Sequence, residues 1–124
     1  MQGGKKIWYF ADGFLPAPSK GGKMEAHEAL MLFNTHAKEV ECLLDIYYSD
    51  REPVKDVKIT IPAERIISLR MDKKEDLNGV VIPLLTQYAL RIRAASPIVV
   101  QFGRLDTTQS NMSYYLGTPF CEEE

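Results

Sequence analysis

Apolar and polar residues alternate with a period of two along much of this chain. Between Lys38 and Tyr48, Val40, Cys42, Leu44, Ile46 and Tyr48 alternate with Glu39, Glu41 and Asp45, although Leu43 and Tyr47 interrupt the polar set. Successive side chains of a strand point to opposite faces, so the segment predicts a strand with one face on a core and the other toward water or a partner. Ser49 to Glu52 reads as a polar turn, and Pro53 holds Glu52 extended. Val57, Ile59 and Ile61 then alternate with Asp56, Lys58 and Thr60, which completes an antiparallel hairpin.

The same reading extends along the chain. Ile7, Trp8, Tyr9 and Phe10 make Lys5 to Ala11 a strand, broken by Asp12-Gly13. Leu15 to Gly22, with Pro16, Pro18, Gly21 and Gly22, is a loop long enough to suggest contact with a ligand or partner. Arg65 to Met71 and Ile98 to Leu105 read as strands, Asp72 to Gly79 as a charged solvated stretch, and Val80 to Ile82 as a brief strand ending at Pro83. Two segments are ambiguous. Met24 to Leu32 leans to helix by propensity, though its parity also suits a strand covered on both faces. Tyr88, Leu90 and Ile92 alternate with Arg91 and Arg93, which favours a strand from Thr86 to Ala95, but a helix is tolerated; Ser96-Pro97 punctuates its end. Thr107 to Phe120 receives no assignment. Seven or eight short strands with turn signals about every ten residues predict an all-β sandwich or small barrel.

At 124 residues the chain fits one domain, with residues 5–109 as its core and 110–124 as a tail. Its hydrophobic content of 45% and charged content of 26% are those of a globular protein, and a net charge of −2 supplies no field for nucleic acid or acidic lipid. Cys42 is in phase with the apolar set and reads as a buried thiol; with Cys121 in the tail, no disulfide is expected. Asp12 cuts short the first apolar run, and no stretch approaches the roughly 20 apolar residues of a membrane span. The expectation is a cytoplasmic protein.

Candidate chemistry is sparse. A zinc site needs three or four converging ligands, and the chain has two histidines and no cysteine pair at ligand spacing. His27 therefore reads as a hydrogen-bonded residue holding a strand end, and no metal is expected. Asp50, Glu52 and Asp106 are carboxylates at strand ends, a pairing that can hydrolyse a glycosidic bond. The simpler reading has Asp50 closing its turn and Glu52 or Asp106 pairing with an arginine, so no catalytic residue is expected. Arg65, Arg70 and Arg104 carry forks suited to carboxylate or phosphate. Arg104 shares the parity of Ile98, Val100 and Phe102 and so needs a partner, either an internal bridge to Asp106 or Asp50, or a ligand or subunit. Trp8, Tyr9, Tyr47 and Tyr48 suit either a sugar platform or a core and interface. Lys20, Lys23, Arg91 and Arg93 read as a solvated face more readily than as a phosphate site. No phosphate-cradling loop, dinucleotide fingerprint or nucleophile elbow is present, and no cofactor is expected.

Several strings together carry a resemblance. They are Trp8-Tyr9-Phe10-Ala11-Asp12-Gly13 with Pro16, His27-Glu28, Leu32-Phe33-Asn34, Tyr47 to Val54, Ile61 to Arg65, Leu69-Arg70, Pro97 to Gln101, and Arg104-Leu105-Asp106. In this order the chain resembles the sensory rhodopsin transducer family, small proteins named for a member that works with a microbial rhodopsin. The resemblance implies an antiparallel β-sandwich, a homotetramer without catalytic activity, and strands over Met24–Phe33 and Thr86–Ala95. It implies a signalling or adaptor role toward a membrane receptor or another protein. Ligand- or partner-binding candidates are then Trp8, His27, Glu28, Tyr48, Asp50, Arg65, Arg70, Gln101, Arg104 and Asp106. The alternative is a module that binds a sugar or an anionic metabolite through the arginines and nearby aromatics. The loop Ala17 to Lys23, rich in lysine and glycine, and the tail after Gln109 depart from the family pattern, so a rhodopsin partner does not follow from the match.

Overall fold

A computed structural model describes residues 3–17, 25–107 and 113–122. Eight antiparallel strands are present among them: β1 (Lys5–Phe14), β2 (His27–Asn34), β3 (Val40–Tyr48), β4 (Val54–Ile61), β5 (Arg65–Arg70), β6 (Gln87–Asp106), β7 (Ser113–Leu116) and β8 (Phe120–Glu122). No helix of the described residues is long and apolar enough to cross a membrane. The strands form a two-layered β-sandwich. One layer runs β4-β3-β6-β1-β8 and the other β5-β2-β6-β7, so β6 belongs to both and joins them into one hydrogen-bonded sheet.

The hairpin expected at the Ser49–Glu52 turn is there, as β3 and β4. The helix favoured by propensity over Met24 to Leu32 is a strand from His27, as the resemblance implied. It is hydrogen-bonded on both sides, to β5 and β6, and that pairing outweighs helix propensities of up to about 0.7 kcal/mol per residue. Thr86–Ala95 and Ile98–Leu105, read as two strands, are one 20-residue strand. Pro97 does not break it, because the change of layer occurs there. Lys5 pairs with Ile98 and Ile7 with Arg93, so β6 carries extra length across this step and a missing ladder N–H is tolerated. Gly4, at φ +101, lies against the same bend, where a Cβ would meet the Ile98 carbonyl. Val80–Ile82 is not a strand; Leu77 and Ile82 turn inward from an irregular segment and plug the core. The tail contributes β7 and β8, each closing one layer. Residues 18–24, with Lys20 and Lys23, lie outside the described residues.

The core follows from the alternation. Phe10, Leu30, Leu32, Leu44, Ile46, Leu90, Ile92, Val100 and Phe102 are buried between the layers, and Phe10 and Tyr88 pack on Phe102 with ring centroids 5.7 and 6.3 Å away. Cys42 is buried there as expected, and burial pushes its thiol up to about 12. Asn34 is buried too. Its amide donates to the carbonyls of Lys38, Ile61 and Pro62 and accepts from the His36 N–H, which ties the end of β2 to β3 and β4.

Candidate functional site

The core-facing parity of β2 includes a charged residue. Glu28 precedes Leu30 and Leu32 on the inner face and is fully buried. Buried carboxylates need partners, and Glu28 has three. It accepts the Phe14 N–H at 3.0 Å, the Tyr88 hydroxyl at 2.5 Å and the Arg104 Nε–H at 2.7 Å. β6 supplies both Tyr88 and Arg104, one from its stretch in each layer, so the cluster sits where the two inner faces meet. Gly13 makes room for it, because a Cβ there would strike the Tyr88 ring.

A cleft of about 360 Å³ opens over this cluster, lined by Asp12, Glu28, Phe102, Arg104, Asp106, Tyr115, Leu116 and Gly117. Strand register explains the lining. Glu28, Arg104 and Tyr115 are consecutive neighbours across β2, β6 and β7. Asp12 comes from the irregular stretch of β1 between Phe10 and Gly13 and stands 3.7 Å from the Arg104 guanidinium. Burial works against the charge of Arg104, but the Glu28 hydrogen bond and the two carboxylates outweigh it and raise its pKa above the ordinary arginine value. Burial, then the Glu28 charge, pushes the Tyr88 hydroxyl up, so it acts here as a donor. Three carboxylates face one guanidinium, and the cleft is net acidic.

The structure brings together Glu28, Arg104 and Asp106 of the residues singled out in the sequence. It places the others elsewhere. Trp8 is a core residue whose indole N–H donates to the Lys5 carbonyl at 3.0 Å. His27 turns away from the cleft, with Nδ1 2.7 Å from the Glu25 carbonyl. Tyr48 is half-buried beside Tyr88, with Arg51 over its ring at 5.1 Å. Asp50 pairs with Arg51 in the β3–β4 turn. Arg65 is exposed at the start of β5, Gln101 is exposed on the outer face of β6, and Arg70 is held by Asp72 and Glu25 at 2.6 Å each. Arg104 bridges to Glu28 and Asp12, while Asp50, one of the partners expected for it, pairs with Arg51; ladder register, not sequence distance, brings Glu28 to Arg104. Among the described residues no three His, Cys, Asp or Glu side chains are placed to hold a metal ion.

A second charged cluster lies on the outer face of the first layer. Asp45, placed by its parity on the face toward water or a partner, has a fully buried side chain. It accepts from Arg93 at 2.8 and 3.0 Å, from Arg91 at 2.8 Å and from the Asp56 N–H at 2.9 Å. Arg91 and Arg93 therefore do not form a free solvated face; they fold over Asp45. Asp12, Phe102 and Tyr115 were missed as cleft residues, and Tyr88 as a member of the buried cluster beneath it. A signal existed for two members of the cluster: Glu28 shares parity with Leu30 and Leu32, and Tyr88 with Leu90 and Ile92, so each was a polar group due to be buried and satisfied.

A profile of a family described as Anabaena sensory rhodopsin transducer matches residues 3–120. Among solved structures, one described as the crystal structure of Thermotoga maritima 1070 is similar at a TM-score of 0.84 and 26% identity, covering 97% of each chain. Another, the Anabaena sensory rhodopsin transducer, is similar at a TM-score of 0.73 and 34% identity, covering 89% of this chain and 96% of that one. No curated protein sequence matches.

Proposed function

Since the chain belongs to the Anabaena sensory rhodopsin transducer family, we propose that it is a non-enzymatic cytoplasmic signalling module that self-assembles, as a tetramer, and binds a receptor or other protein through its acidic clefts. The observation that carries this reading is the state of Glu28. Its carboxylate is spent on three internal donors, so it shapes the cleft and is not poised to move a proton for a substrate. Repeated clefts on a symmetric assembly gain avidity from weak single contacts. The test compares baits in affinity capture from soluble and membrane fractions. Asp12→Lys and Tyr115→Ala change exposed rim positions and should reduce recovery of the specific partner about tenfold relative to the unaltered chain. Equal recovery by all three baits rejects the cleft as the contact.

A second reading is favoured by the cleft itself: a small-molecule module whose ligand sits between Asp12, Arg104 and Tyr115. Of a sugar and an anionic metabolite, the net-acidic lining favours the uncharged polyhydroxyl ligand. At about ten times Kd, a sugar should stabilise the fold by roughly 1.4 kcal/mol and raise Tm by several degrees. The rise should vanish in Asp12→Lys. A screen in which no sugar shifts Tm, or in which only sugar phosphates do, discards this ligand class.

A further inference from the structure

We infer that the turn at residues 81–85, with Phe14, is an apolar shelf beside the cleft, and that the partner reaches it with a short linear segment joining an arginine or lysine to large apolar side chains. The inference rests on the cleft as a protein contact, proposed above, and names the chemistry that the contact takes. The shelf departs from the alternation that places apolar groups inside. Ile82 turns inward, but Phe14, Val81, Leu84 and Leu85 face outward. Single exposed apolar residues are ordinary, whereas a contiguous set marks a contact surface. Contiguity follows from the backbone. The Leu85 N–H donates to the Leu15 carbonyl at 2.9 Å, which seats the turn against the end of β1, and Phe14 pairs with Gln87 just beyond it. Val81 and Leu84 line a groove of about 290 Å³ with Pro16 and Ala26.

Leu85 also holds a costly backbone. Its φ is +55, in the left-handed region that Gly and Asn adopt readily and a bulky side chain does not. Burial gives little back, because the residue is 60% exposed. Strain of this kind persists where a function uses it. A leucine that neither fits its backbone nor fills the core is placed to meet something outside the chain.

Charge selects the occupant. Asp12 stands two residues before Phe14 on β1, about 7 Å along a strand, so the shelf runs directly into the cleft. In the groove the charges balance, with Glu25 and Asp72 against Arg70 and Lys73. In the cleft three carboxylates face one guanidinium, and the Asp12 side chain is 81% exposed. A cationic head beside Asp12 lies against the exposed Tyr115 ring, with its stem on Phe102 and Leu116. Apolar side chains next to it in the same segment then cover Phe14, Leu84 and Leu85. An acidic segment or an anionic lipid surface would meet repulsion at the cleft.

Selection from a random library of short peptides against the full chain tests this. Enrichment of sequences that join Lys or Arg to Leu, Ile, Phe or Trp supports it. Binding of the strongest such peptide, read by fluorescence anisotropy, should weaken about tenfold in Leu85→Asn and in Asp12→Lys. Asparagine suits the positive φ, so the Tm of Leu85→Asn should equal or exceed that of the unaltered chain, which separates lost contact from lost fold. Peptides that are basic but not apolar, and that lose affinity in Asp12→Lys alone, overturn the shelf and leave the cleft as a contact. Affinity kept in both variants overturns shelf and cleft together as the peptide's site. No enrichment, or enrichment of acidic sequences, overturns the segment, and the bait comparison above then decides the cleft by itself. A Leu85→Asn chain that changes oligomeric state in light scattering makes the shelf a contact between copies and overturns the inference.

Discussion

Glu28→Ala is expected to lose about 3–5 kcal/mol of stability, the range for breaking a buried charged pair by removing one partner. The change leaves the Tyr88 hydroxyl without its acceptor and Arg104 without its nearest counter-charge. It also opens a hole at the junction of the layers. With total stabilities of about 5–15 kcal/mol for domains, this is a large share, and Tm should fall by roughly 10–20 °C. Tyr88→Phe should cost much less, about 1–2 kcal/mol, because the carboxylate keeps two donors. Replacing the whole cluster at once, with Glu28→Leu, Tyr88→Phe and Arg104→Met, should recover most of the loss, since an apolar trio has no group left unsatisfied. Urea melts of the four proteins measure this. A Glu28→Ala loss below about 1 kcal/mol would show that the cluster is not a coupled buried unit.

Asp45→Ala is expected to cost about 2–3 kcal/mol. The magnitude is smaller because Arg91 and Arg93, at 29% and 34% side-chain exposure, can turn to water once Asp45 is gone. The Asp56 N–H also loses its acceptor at the β4 bulge. This cluster has a pH signature. Burial alone would raise the Asp45 pKa, but Arg93, the Asp56 N–H and Arg91 outweigh it and hold it below the ordinary carboxylate value. A depressed folded-state pKa contributes stability that is fully present above the unfolded value of about 3.9 and is lost as pH falls through the folded one. Unfolding free energy measured between pH 6 and pH 2 should therefore drop less steeply below about pH 4 in Asp45→Asn than in the unaltered chain. Superimposable profiles would remove Asp45 from the acid response.

Much of the fold was legible wherever one strand face is buried and the other is not. Val40 to Tyr48 and Val57 to Ile61 show it cleanly, and both are strands. β2 was obscured because it combines helix-favouring residues with burial on both faces. β6 was read as two strands because a Ser-Pro pair marks a break in most contexts, and only the change of layer at Ile98 makes a proline acceptable inside this one. The need of Arg104 for a partner was readable from its parity. The identity of that partner was not, since Glu28 and Arg104 become neighbours only through the β2–β6 register. The burial of Asp45 was hidden for a related reason: its parity puts it on the outer face, and nothing local announces that two arginines of β6 will cover it.

That β6 serves both layers also sets the order in which a growing chain can fold. Translation at about 5–20 residues per second delivers β1, β2 and β3 well before the strand they share. Until β6 has left the ribosome, only the β3–β4 and β2–β5 pairs among the described strands have their partners present. β1 must wait for its register against Arg93 and Ile98. Such late, non-local closure predicts folding on the millisecond-to-second scale of β-sandwiches, with an open-edged nascent chain as the species that depends on chaperones.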